Sequence, residues 1–254
     1  MKALTLLMLS LLAPAAPAQE ITVAAAADLH FALDEIASRF GAESGIHVRA
    51  IYGSSGNFYQ QIQNGAPFDV FLSANVDYPK KLEAAGLTRP GTYFEYARGK
   101  IVLAVPANST LDVKQGLKVL ANPAVKKVAI ADPGHAPYGM AAVSALKAEH
   151  IYEHVSTKLV TGENISQAAS FVLSGASDAG IIALSLVKAP AARGQVRFEE
   201  IPANDYPPIT QAGVVLQSTK QQKEADKFEA FLRGKEAANI FRQHGFEVPE
   251  ATEP

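Results

Sequence analysis

The stretch ITVAAAADLHFALDEIASRFGAESG, Ile21 to Gly45, decides the fold class. Ile21–Ala26 is a continuous apolar run of strand length, and Leu29, Leu33, Ile36 and Phe40 then recur at the spacing of one helix face. Gly41 and Gly45 end that helix. A strand feeding straight into an amphipathic helix is one βα unit, and the order repeats down the chain. Val48–Tyr52 runs into Gly53-Ser54-Ser55-Gly56 and a helix from Asn57, and Val70–Leu72 leads to a helix ending near Ala85-Gly86. Ile101–Val105 stops at Pro106. Val128–Ala131 precedes a helix from Tyr138, Val160 precedes one from Ile165, and Gly180–Ala183 is a further strand. Gly213–Leu216 reads as the last strand, before helices over Gln222–Leu232 and Ala237–His244. Such alternation predicts an α/β fold of mostly parallel sheets flanked by helices.

Upstream, Lys2 precedes the apolar run Ala3–Leu12 and the small-residue stretch Ala16-Pro17-Ala18. This is the pattern of a secretory signal, with cleavage expected after Ala18 and a periplasmic mature protein. Removing residues 1–18 leaves 236 of the 254 residues, enough for two lobes with separate cores. No repeat, low-complexity segment or long flexible linker appears, so a chain crossing twice between lobes is more economical than two tethered domains. The crossings are expected near Arg98–Lys100 and Thr210–Gly213. Lobe one then comprises residues 19–99 and 213–254, lobe two residues 100–212, with a ligand cleft between them.

Composition excludes several function classes. The net charge of −2, with Lys and Arg scattered, leaves no footprint for nucleic acid or an anionic membrane. With no cysteine, disulfides, thiolate metal sites and cysteine nucleophiles are ruled out together. His150 and His154 stand at zinc-pair spacing but lack a third ligand, so a solvated helix end is expected. Gly53-Ser54-Ser55-Gly56 lacks the G-x-S-x-G spacing of a nucleophile elbow, which argues against a hydrolase.

The informative residues gather at four strand-to-helix junctions: Ala27-Asp28, Gly53–Gly56, Pro137-Tyr138-Gly139 and Gly162–Ile165. Ligands of open α/β sheets bind at the carboxyl ends of strands, and a helix start offers free N–H groups to an anion. None of the four segments contains Lys or Arg. The hydroxyls of Ser54 and Ser55, the Tyr138 phenol, the Asn164 amide and backbone N–H groups would suit a desolvated tetrahedral dianion. Taken singly, each junction is as readily a cap or a turn.

ITVAAAADL, YGSSGNFYQQIQNGAPFDVFLSA, ADPGHAPYG, GENISQAA, DAGIIAL and the terminal IFRQHGF together resemble the periplasmic molybdate-binding proteins of ABC importers, through nearly the whole mature chain. GAPFDVFLSA is the most specific of these segments. The resemblance implies a two-lobed type II periplasmic-binding-protein fold that captures molybdate or tungstate by hydrogen bonds alone. It implies no enzyme activity, metal or cofactor, and a monomer that meets the importer's membrane subunits. Ligand-contacting positions fall at Ala27, Asp28, Ser54, Ser55, Tyr138 and Ile165, with a hydroxyl donor at Ser55 and backbone donors at Ala27, Tyr138 and Ile165. The alternatives are another oxyanion or a metal chelate as cargo, or a cell-envelope enzyme using His30, His135 and nearby Asp side chains.

Two departures from the family pattern stand out. Asp28 occupies a position where many members carry a hydroxyl residue or an amide, and Ala183 one where some carry a binding tyrosine. An ionised carboxylate about 4 Å from a dianion costs on the order of 8 kcal/mol at an effective dielectric near 20. A charge-assisted hydrogen bond returns only about 1.5–3 kcal/mol. Asp28 therefore turns away to cap its helix, binds protonated, or serves a ligand that is not a simple dianion. Capping is the commonest use of Asp at a helix start and is the reading expected here. The Tyr138 phenol is expected to replace the donor absent at Ala183, and Tyr206-Pro207-Pro208 reads as a rigid loop from which Tyr206 could reach the cleft.

Overall fold

The computed structural model describes residues 19–248; the signal segment over residues 1–18 lies outside the described residues. In chain order the elements are β1 (Glu20–Ala26), α1 (His30–Ser44), β2 (His47–Gly53), α2 (Ser55–Gln63), β3 (Val70–Ser73), α3 (Asp77–Ala84), β4 (Phe94–Gly99) and β5 (Ile101–Pro106). There follow β6 (Val128–Ala131), α4 (Pro137–Ala148), α5 (Tyr152–Val155), β7 (Leu159–Gly162), α6 (Ile165–Leu173), β8 (Ala179–Ala183) and α7 (Leu184–Lys188). The chain ends with β9 (Val196–Glu200), β10 (Ile209–Val215), α8 (Gln222–Leu232) and α9 (Lys235–Gln243).

β1 is buried on both faces from Ile21 onward, which is why its sequence is a run and not an alternation. Small alanines there let helices pack closely on either side. α1 buries Leu33, Ile36 and Phe40 and ends where Gly45 takes φ +71°, a left-handed cap that favours glycine. Phe40 then meets the rings of Phe228 and Phe231 of α8 at 5.0 and 5.5 Å. This contact ties the C-terminal helices to the first sheet.

Two five-stranded sheets result, ordered β2-β1-β3-β10-β4 and β7-β6-β8-β5-β9. The second repeats the plan of the first, although the sequence shows no repeat. In each sheet the βα strands pair in parallel. A strand entering from the other half of the chain, β10 or β5, pairs antiparallel on both its sides. The sheets are therefore mixed, and the parallel expectation holds only within the βα units.

The chain changes sheet between Gly99 and Ile101, and again between Glu200 and Ile209. Thr210–Gly213, expected to carry the second crossing, lies within β10, so the change of sheet falls upstream, across the loop holding Tyr206. That tyrosine does not line the cleft; its hydroxyl accepts the Ile101 N–H at 3.4 Å. At the first crossing Lys100 pairs with Glu247 at 3.0 Å and Glu200 at 3.4 Å, one carboxylate beside each sheet. Gly99 permits a close approach there, because a Cβ at that position would collide with the Tyr138 hydroxyl.

The lobes touch along the strand ends. The Gly56 N–H donates to the His135 carbonyl at 3.0 Å, the Ser166 hydroxyl to the Ala27 carbonyl at 2.9 Å and the Ser185 hydroxyl to the Asp28 carbonyl at 2.8 Å. A Cβ on Gly56 would sit 2.6 Å from the His135 carbonyl oxygen, well inside van der Waals contact. Gly56→Ala is expected to hold the lobes apart while leaving both cores folded. Small-angle scattering should then give a larger radius of gyration with cooperative melting retained; an unchanged radius would count against this contact as a condition of closure.

Candidate functional site

Four strand-to-helix junctions face one another across the lobe boundary, after β1 and β2 on one side and after β6 and β7 on the other. Between them lies a small cavity of about 10 Å³, walled by Ala27, Asp28, Ser54, Ser55, Tyr138 and Ile165 together with Ala74 and Ala136 among others. All six residues singled out in the sequence thus share one wall. A larger surface groove of about 540 Å³ runs along α1 and the β2 edge, but among the described residues no helix start opens into it. Among the described residues, no lysine or arginine lines the cavity.

Which donors remain for a ligand follows from the caps. In the first turn of α2, the Gly56 N–H goes to the His135 carbonyl and the Asn57 N–H to the Ser54 hydroxyl, leaving the N–H of Ser55. At α4, Pro137 has no N–H, and those of Gly139 and Met140 reach the Ala136 carbonyl, leaving Tyr138. At α6 the Asn164 side chain takes the N–H groups of Ser166 and Gln167, leaving Ile165. Asn164 is therefore a cap and not a ligand group. The Ser55 hydroxyl, 1% exposed, accepts the Ala74 N–H at 2.9 Å, so its own hydrogen stays free to donate.

Asp28 overturns two expectations. It lies in a 3-10 turn, Ala27–Leu29, whose start and that of α1 carry no side-chain cap. Its carboxylate instead turns inward, where Oδ2 accepts the Tyr138 hydroxyl at 2.7 Å and the Gln211 amide at 2.5 Å. The Tyr138 phenol is committed to this bond and does not stand in for a donor at Ala183, which lies outside the cavity wall. Tyr96 completes the network by donating to Gln211 Oε1 at 3.0 Å. The other carboxyl oxygen, Oδ1, is buried and takes no hydrogen bond.

Burial pushes the Asp28 carboxyl up to about 6, opposed by the hydrogen bonds from Gln211 and Tyr138 and by its own backbone N–H. The Tyr138 and Tyr96 phenols are held well above their ordinary range, first by burial and then by the nearby carboxylate. Both therefore stay neutral donors.

Ser54 lines the cavity but commits its hydroxyl elsewhere. It lies 2.7 Å from His135 Nδ1 and 3.2 Å from the His135 carbonyl, and it caps α2. His135 in turn approaches Asp132 at 3.5 Å. The order Ser–His–Asp invites comparison with a nucleophile triad, yet the Ser54 hydroxyl serves as cap and interlobe contact. His30 packs against Tyr52 and approaches Asp34, away from the cavity wall. Gln211 was not singled out by sequence. The only sign was a polar side chain inside an apolar strand, which at 0% exposure must find partners.

A carboxyl raised from the ordinary 3.8 to about 6 binds its proton more tightly folded than unfolded. Its contribution to stability is complete below about pH 4 and is lost as pH rises through about 6, a loss on the order of 3 kcal/mol. Asp28→Asn is expected to remove that dependence, so denaturation free energies of parent and variant should diverge between pH 4 and about 7. Parallel curves would contradict the burial of a titrating carboxyl.

Known proteins resemble this chain over nearly its full length. The description "bacterial extracellular solute-binding protein" matches residues 21–247. The molybdate-binding protein ModA of Azotobacter vinelandii is 40% identical over 236 residues, covering 93% of each chain. ModA of Rhodobacter capsulatus is 38% identical over 94% of this chain and 92% of its own. The solved periplasmic molybdate-binding protein of Azotobacter vinelandii superposes with a TM-score of 0.84 at 36% identity, covering 91% of this chain and all of the other. With this site between its two lobes, the chain belongs to the bacterial extracellular solute-binding proteins, a family of solute capture and not of catalysis.

Proposed function

We propose that the protein, exported and cleaved after Ala18, captures molybdate or tungstate in the interlobe cavity and presents it to the membrane subunits of an ABC importer. The observation that carries this reading is the convergence of uncaptured donors, the N–H groups of Ser55, Tyr138 and Ile165 and the Ser55 hydroxyl, on one cavity without a cation. Fixed neutral donors in a desolvated site can hold a dianion as strongly as ion pairs, because each bond to a charged acceptor is worth about twice a neutral one. The Ala27 N–H is assigned as a further donor by the family resemblance. Ser54 is a wall and closure residue in this reading.

The donors lie on both lobes, Ser55 on one and Tyr138 and Ile165 on the other. An anion bridging them favours the closed form through contacts the open form lacks, which is the condition for shifting that equilibrium. The importer would read closure. The relatives named for molybdate binding support this cargo over sulfate, phosphate or a metal chelate.

A thermal-shift panel tests the cargo. Molybdate and tungstate at a thousandfold their Kd are expected to stabilise the protein by about 4 kcal/mol, with sulfate and phosphate far weaker; stabilisation by phosphate or a metal chelate alone would reverse the assignment. Ser55→Ala should weaken molybdate binding by about 1.5–3 kcal/mol, roughly ten- to a hundredfold in Kd, the loss of one charge-assisted hydrogen bond. Calorimetry showing an unchanged Kd would remove Ser55 from the site.

A further inference from the structure

Asp28 is an anomaly in a pocket read as an anion site: a carboxyl group, 1% exposed, forming part of the cavity wall. It cannot swing aside, because Oδ2 is fixed by Tyr138 at 2.7 Å and Gln211 at 2.5 Å. Nor is its charge balanced, since among the described residues no lysine or arginine lines the cavity. Its two oxygens are not equivalent. Oδ2 already accepts two hydrogen bonds, and the Gln211 amide nitrogen has no lone pair with which to accept one in return. With both neighbours donating to Oδ2, the proton on this carboxyl is placed on Oδ1, an oxygen without a hydrogen-bond partner among the described residues.

We propose that capture of the oxyanion takes up one proton from solvent, carried on Asp28 Oδ1 and donated from there to an oxygen of the bound anion. The inference rests on the oxyanion reading of the cavity and adds a specificity device to it. The protonated carboxyl becomes one more neutral donor, and the orphaned oxygen gains its partner. Burial already lifts this carboxyl to about 6, and a dianion alongside raises it further, so the bound state holds the proton at neutral pH.

No other group facing Asp28 is placed to supply the effect. Tyr138 from α4 and Tyr96 from β4 remain neutral because burial and the carboxylate raise them. Gln211 from β10, Ser185 from α7, Ser166 from α6 and the α2 serines do not titrate. His135 meets Ser54, and His30 on the following turn faces Asp34.

The test is calorimetric titration of the purified protein with micromolar sodium molybdate near pH 7.5, in buffers of different ionisation enthalpy, which counts protons exchanged on binding. The parent protein is expected to take up about one proton, with affinity falling roughly tenfold per pH unit between about pH 6.5 and 8. Asp28→Asn, which keeps the shape and offers an amide donor, should take up none and bind with little pH dependence. His135→Gln separates the neighbouring imidazole and should keep the count near one. Binding without proton uptake in the parent, uptake that persists in Asp28→Asn, or uptake lost only with His135 would overturn the inference while the cargo reading stands. Absence of any molybdate heat from folded protein across pH 5 to 8 would overturn both.

Discussion

The hydrogen bond from Tyr138 to Asp28 joins the two halves of this molecule at the point where its chemistry is done. Tyr138 belongs to the first turn of α4 beside the second sheet, and Asp28 lies in the 3-10 turn that follows β1 of the first. Both are nearly devoid of solvent contact, so neither group can be left unpaired without a penalty of about 1–3 kcal/mol. Gln211, from the strand that returns to the first sheet, supplies the second donor. Once these three are fixed, Oδ1 is the carboxyl atom left without a hydrogen-bond partner among the described residues, and on the proposed reading the response to an anion is set by what that atom carries.

The convergence of helix starts follows from a topological repeat that is invisible in the residues. Each sheet places its first βα strand beside its second, and both units end at the same edge. Two such edges opposed across a double crossing bring four junctions together without any single residue directing it. Small side chains make the opposition close enough to matter: Gly56 lets one lobe's backbone donate to the other's carbonyl, and Gly99 leaves room for the Tyr138 ring at the crossing.

Legibility in the sequence tracked how local the determining physics was. β1 and α1 were readable because burial on both faces gives a strand its apolar run and burial on one face gives a helix its 3.6-residue period. β4 and β9 were missed. Both are edge strands, and Phe94–Gly99 alternates exposed and buried residues with charged ones among them, while Val196–Glu200 buries none of its residues fully. The positions around the cavity were legible as junctions, but the roles at Asp28, Tyr138 and Ser54 were not. Propensity made Asp28 a cap; a tertiary partner 183 residues away decided otherwise. His135, 81 residues from Ser54, likewise took a hydroxyl that looked available.

Interlobe bonds made by protein groups alone, among them those of Gly56, Ser54, Ser166 and Ser185, form whenever the lobes meet and carry no information about cargo. On the proposed reading, selectivity comes from groups that closure buries without giving them a protein partner, namely the first-turn N–H groups of Ser55, Tyr138 and Ile165 and the Asp28 Oδ1. Closing over water leaves some of these unsatisfied, because one water makes about three hydrogen bonds in geometry it does not choose. A tetrahedral anion presents four oxygens, each with several lone pairs, and meets donors from both lobes at once. The site therefore discriminates as much by penalising closure without the anion as by rewarding closure with it. On the proposed proton uptake, a carboxyl that must acquire a proton before it can take part would sharpen that distinction further.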